Sequence, residues 1–159
     1  MATFKEQHPE FQRLVQELML LREHNRKPVI KVNYQFFLFA EAALVLMALE
    51  RFLRMVLQAE ATDLDTLPTL LQKATSKRLN LFQFEEPEKR DQWIREIKDV
   101  RNTILHGNYE QAAKQAGCAT KEEWFETQFP SELESLYRLG DEIVKHIDME
   151  TGKPRKAKP

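Results

Sequence analysis

The sequence predicts an all-α fold, a four-helix core with additional short helices. Three observations lead there. Apolar residues recur at three- and four-residue intervals along most of the chain. No clean alternating run and no hairpin signal interrupts them. Only 4 glycines occur in 159 residues, which leaves little room for extended loops or glycine-rich phosphate cradles.

The first helix is expected over His8 to Arg26, with Phe11, Leu14, Val15, Leu18 and Leu21 on one face. Pro28 closes it. Asn33 is a suitable cap for a second helix reaching about Ala59. That helix is apolar nearly all round from Phe36 to Leu49, so it needs cover on several sides. In a chain this small, a partner subunit is the simplest source of the missing cover. Asp65 or Thr66 caps a third helix, with Pro68 in its first turn, running to about Leu79. Asn80 to Pro87 reads as an ordered loop.

A fourth helix is predicted from Pro87 to His106. Trp93, Ile97, Val100 and Ile104 mark its buried face, and Gly107 stands where a C-terminal cap belongs. Glu110 to Gln115 adds a turn or two, closed by Gly117. Two capping boxes follow. Thr120 with Glu123 opens a short helix holding Trp124, Phe125 and Phe129. Ser131 with Glu134 opens the last helix, stopped by Gly152. Residues 1–150 therefore form one domain, and 151–159 form a disordered basic tail.

Composition limits the function classes. A net charge of −1 excludes gripping nucleic acid by bulk charge, so RNA contact would need a local basic patch. Cys118 is the only cysteine, which excludes an intramolecular disulfide and points to a cytoplasmic setting. The N-terminal segment is polar, without a signal-peptide apolar region. The most apolar stretch, Phe36 to Leu49, falls short of the roughly 20 residues a membrane span needs and contains Glu41. No membrane partner is expected. His8, His24 and His146 have no ligand partner at useful spacing, so no metal site is expected.

Chemistry concentrates in Arg101-Asn102-Thr103-Ile104-Leu105-His106. Arginine grips phosphate with a fixed fork of donors, and histidine carries protons near neutral pH. Together they suit phosphodiester chemistry without a metal. With 11 arginines and 4 histidines, this spacing alone arises by chance about 0.3 times; an asparagine after the arginine lowers that to about 0.01.

With those residues, the chain resembles the HEPN family. Its members are small helical bundles with an arginine, four to six residues, then a histidine, often with a polar residue after the arginine. Arg101, Asn102 and His106 match, over a bundle of about residues 8 to 150. The resemblance implies a metal-independent, cofactor-free endoribonuclease, in many members a toxin or a phage-defence component. It also implies a homodimer whose two motifs face one cleft. His106 would move a proton at the ribose 2′-hydroxyl or the leaving 5′-oxygen. Arg101 would hold the scissile phosphate, and Asn102 would orient the phosphate or His106. The alternative is a HEPN-like module without catalysis, which dimerises or binds RNA or a protein; a third reading is a helical adaptor that matches the motif by accident. One branch of the family pairs with a nucleotidyltransferase antitoxin and carries a tyrosine two residues after the histidine. Tyr109 stands three residues after His106, so the match is inexact, and a packed or hydrogen-bonded tyrosine is the favoured reading over a modification target.

Supporting residues are also expected. Glu41 faces the cleft and pairs with Arg101, or it is a partly exposed structural carboxylate. Arg51 and Arg54 form a basic patch for RNA, or pair with Glu50 or another acid. On an ideal helix Asn102 and His106 share a face, whereas Arg101 and His106 lie about 140° apart. Arg101 and His106 converge only if the helix ends or distorts near Gly107, or if a second subunit closes the site.

Overall fold

A computed structural model describes residues 2–4, 6–27, 34–76, 86–148, 150–153 and 155. Among them the fold is all-α. In chain order the helices are α1 (Pro9–Arg26), α2 (Tyr34–Leu57), α3 (Leu67–Ala74), α4 (Pro87–His106), α5 (Tyr109–Gln115), α6 (Lys121–Thr127) and α7 (Phe129–His146); a 3-10 turn, Gln58–Glu60, follows α2. Asn33, Pro28 and residues 80–85 of the predicted loop lie outside the described residues.

The hub is α2. It packs against α1, α3, α4 and α7. Leu38, Ala42, Val45, Leu46, Leu49 and Leu53 are buried on its inner sides, and each such side chain contributes roughly 1.5–3 kcal/mol for the larger aliphatics. Gly140 of α7 lies against Leu49, where a Cβ would just reach van der Waals contact. Arg101 meets Glu50 while Tyr109 meets Phe39, so α4 runs antiparallel to α2.

The expected cover for α2 is incomplete within one chain. Phe36 is 65% exposed and Met47 55% exposed. With Ala40 and Ala43 they fall within about 60° of each other at 100° per residue. This is an apolar stripe open to solvent.

Helix α4 begins and ends where the sequence predicts. Gly107 takes the left-handed conformation, φ 65°, that closes it. Thr120 caps α6, its hydroxyl accepting from Glu123 N at 3.2 Å, while Glu123 reaches back to Ala119 N at 2.8 Å.

Both ends of the last helix need correction. The last helix opens at Phe129, not at Ser131. Phe129 is fully buried among Trp124 and Phe125, and Pro130 fits the first turn, so burial of the ring decides the start. The helix also ends at His146, before Gly152. Ile147 is extended, and the chain folds back: Asp148 N donates to Lys153 O, and Arg155 N donates to His146 O, both at 2.8 Å. Phe4 N donates to Glu150 O at 2.7 Å, and its ring closes on Gly152, where a Cβ would strike it. In the tail predicted to be disordered, Gly152, Lys153 and Arg155 are hydrogen-bonded to Asp148 and His146, and residues 154 and 156–159 lie outside the described residues.

Candidate functional site

The last two turns of α4 carry the motif. The helix is regular through His106, so Arg101 and His106 point about 140° apart in one chain. Asn102 and His106, four residues apart, share a face with Cβ atoms about 5–6 Å apart. His106 is exposed, and Arg101 and Asn102 are only partly exposed.

Arg101 is anchored by a residue of α2. Its Nε donates to Glu50 Oε1 at 3.2 Å, with both side chains more than four-fifths buried. The same oxygen accepts from the backbone N–H of Leu67 at 3.1 Å. Glu50 thereby satisfies a donor left open at the start of α3, where the Thr66 side chain makes no capping bond. Arg54 completes the group, 3.9 Å from Glu50 Oε2 and donating to Asp65 O at 2.6 Å. Glu50 takes the Nε edge of Arg101. Nη1 leans on Asn102 Oδ1 at 3.4 Å, which turns the terminal amino groups toward the space beside Asn102.

Glu41, expected either to pair with Arg101 or to be a partly exposed structural carboxylate, is elsewhere and buried. It is 3% exposed. Asn25 Nδ2 donates to Oε1 at 2.9 Å and the Tyr137 hydroxyl donates to Oε2 at 2.7 Å. The guanidinium of Arg22 lies over the Tyr137 ring, 3.9 Å from its centre. The reason is angular. Glu41 and Glu50 are nine residues apart, about half a turn round the helix, so they face opposite neighbours. Burial, together with the bond to Glu41, pushes the Tyr137 hydroxyl well above the ordinary tyrosine range.

Arg51 is likewise diverted from a role beside the motif. It donates to Glu10 of α1 at 2.7 Å in an exposed pair. Tyr109 is packed against Phe39, Trp124 and Phe125, and its hydroxyl donates to Ile104 O at 3.1 Å. That carbonyl belongs to the last turn of α4, which lacks helical partners. Burial raises the Tyr109 pKa. The residue supports the helix end that carries His106.

A groove of about 550 Å³ opens between α3 and α4. Thr66, Thr69 and Gln72 form one wall; Arg95, Lys98, Arg101 and Asn102 form the other. The sequence offers Glu50 only as an ion-pair partner for Arg51 or Arg54, which Arg54 takes up; its bond to Arg101 and this groove are not legible there. Two signals were present. The half-turn between Glu41 and Glu50 means that they cannot face the same helix. Arg95, Lys98, Asn102 and His106 are spaced 3, 4 and 4 apart, one polar face of α4 opposite its apolar one.

Among the described residues, no helix is long and apolar enough to cross a membrane. No family model matches the chain, and neither a curated protein nor a solved structure matches it.

Proposed function

We propose that the chain is a HEPN-type, metal-independent endoribonuclease that acts as a homodimer. The observation that carries this is the open face of α4: Asn102 and His106 stand one turn apart beside a guanidinium already held by Glu50. In the reaction, the ribose 2′-oxygen loses its proton to a base and bonds to phosphorus. The bond from phosphorus to the 5′-oxygen breaks, and that oxygen takes a proton. The products are a 2′,3′-cyclic phosphate and a 5′-hydroxyl, so DNA is not a substrate. His106 carries a proton in this exchange. The terminal amino groups of Arg101 face the charge that grows on the phosphate, and Asn102 orients the phosphate or His106.

The 140° separation of Arg101 and His106 makes a second copy part of the proposal. The apolar stripe of Phe36, Ala40, Ala43 and Met47 is the surface it would cover. Phe39 and Glu50, which meet Tyr109 and Arg101, border that stripe, and Leu105, next to His106, is a further exposed apolar residue. Two such stripes pressed together would bring two α4 ends to one cleft. A toxin or phage-defence role, a cytoplasmic setting and a nucleotidyltransferase-like antitoxin belong to the same reading. Such an antitoxin would not find Tyr109 open, since its hydroxyl is engaged.

One observation favours a second reading, an RNA- or protein-binding module without catalysis: the charge of Arg101 is already matched by Glu50. Labelled RNA incubated with the protein in EDTA separates the two. Cleavage is expected, falling by about 10²- to 10⁴-fold in His106→Ala and Arg101→Ala. Binding without cleavage by the parent selects the module, and cleavage that persists in both variants sinks the site. Sedimentation at micromolar concentration should give a dimer, converted to monomer by Phe36→Asp with Met47→Asp.

A further inference from the structure

Helix α4 separates two grooves of opposite charge. On the α7 side, a groove of about 650 Å³ is lined by Glu96, Asp99, Glu132 and Glu142, with Arg138 as its cation. On the α3 side, among the described residues, the cations are Arg95, Lys98 and Arg101, and the single acid is Asp91. Two of those four charges are spent locally. Asp91 is paired with Arg90 at 3.2 Å, and Arg101 with Glu50. Arg95 and Lys98 are exposed and enter no ion pair among the described residues. The groove therefore presents two uncompensated positive charges, while the other flank of the helix repels anions.

From these charges we infer that the α3–α4 groove binds the sugar–phosphate backbone of single-stranded RNA and leads it to His106. The inference rests on the nuclease reading for its direction, but not for the binding itself. Arg95 to His106 spans eleven residues, about 16 Å of helix at 1.5 Å per residue. Lys98 and Asn102 lie between them on the same face, so a strand following this row meets cation, cation, amide and imidazole in turn. Thr66, Thr69 and Gln72 across the groove supply hydroxyl and amide groups suited to riboses and phosphates. Among the described residues no aromatic side chain lines the groove, so those residues offer bases no stacking platform. Contact is with the backbone, and the groove itself adds little sequence preference. Its volume suits a short stretch of one strand and is far too small for a duplex.

The test uses the full chain with His106→Ala, which prevents turnover during binding. A fluorescent single-stranded RNA of twelve mixed nucleotides is titrated at a series of salt concentrations. Each phosphate contact on a single strand adds about 0.7 to the slope of log K against log salt, so Arg95→Ala with Lys98→Ala should reduce the slope by about 1.4. Arg138→Ala, in the opposite groove, should leave it unchanged. A slope equal in parent and double variant, or no RNA binding at all, overturns the inference. The two proposals fail separately. A slope that falls while the parent cleaves no RNA keeps the groove and removes the nuclease. In a cleaving parent, the double variant should lose at least tenfold in kcat/KM on long RNA and almost nothing on a dinucleotide. Equal loss on both substrates assigns Arg95 and Lys98 to the cleavage site and overturns the groove.

Discussion

Glu41 and Glu50 are two poorly exposed carboxylates on one helix with opposite roles. Glu41 closes a network inside the bundle, between Asn25 of α1 and Tyr137 of α7. Both of its partners are neutral donors, so its charge is dispersed by hydrogen bonds, with Arg22 stacked behind the tyrosine ring. Glu50 faces the other way and meets charge directly. It fixes the guanidinium of Arg101 and the first N–H of α3 through a single oxygen. The difference teaches that a buried acid is assigned by its angle on the helix, not by its rarity in an apolar segment. Glu41 interrupts the more apolar stretch, yet Glu50 is the one beside the motif.

The comparison can be broken by substitution. Glu41→Ala should have the largest effect on stability, about 2–5 kcal/mol, because it opens a cavity, strands the Tyr137 hydroxyl and leaves Asn25 Nδ2 with only its bond to Phe37 O. Urea unfolding reads the loss, and RNA cleavage by the folded fraction should be unchanged. A large loss of cleavage by that fraction would put Glu41 at the site after all. Glu50→Gln should destabilise by about 1–3 kcal/mol, since it leaves Arg101 partly buried without its counter-charge. It should also lower cleavage about tenfold, equivalent to about 1.4 kcal/mol of barrier. Equal cleavage in parent and variant would show that Arg101 needs no anchor.

Alkaline titration sharpens the contrast further. The folded pKa of Tyr137 lies above the ordinary value of 10.0. The stability linked to this group is full below pH 10 and is lost as pH rises beyond it, because the unfolded chain releases the proton first. Melting temperature should therefore fall above pH 10, and Tyr137→Phe should flatten that fall. An unaltered alkaline limb in the variant would locate the titration elsewhere. The smallest effect belongs to Arg51→Ala. Its pair with Glu10 is exposed, so the change should stay below about 1 kcal/mol, with RNA binding unaltered. A drop in RNA affinity would restore Arg51 to the binding surface.

What the sequence made legible was largely what depends on neighbours in the chain. Pro87 and Gly107 bracket α4 correctly because each acts through its own backbone. The Thr120–Glu123 cap is equally local. Ser131 and Glu134 carry the same signature, but burial of Phe129 starts the helix two residues earlier. The bond between Glu50 and Arg101 spans 51 positions, and its geometry depends on how two helices cross. The motif was readable, its anchor was not, and its groove needed α3 in place. The return of the chain to His146 after Gly152 depends on contact with Phe4, at the opposite end of the sequence.

The bond from Tyr109 to the carbonyl of Ile104 has a further consequence for His106. Helix ends normally fray, and a residue in the last turn shares that motion. Here a side chain from beyond the helix ties the last turn down, and a stacked aromatic cluster holds that side chain. The imidazole is therefore an exposed side chain on a helix end held by a side-chain hydrogen bond. Seating it on a phosphodiester would cost the rotamer freedom of one side chain, roughly 0.5–1.5 kcal/mol. Ordering a frayed turn would add about 1–2 kcal/mol for each residue. The helix end meets that entropic demand during folding, before any substrate arrives.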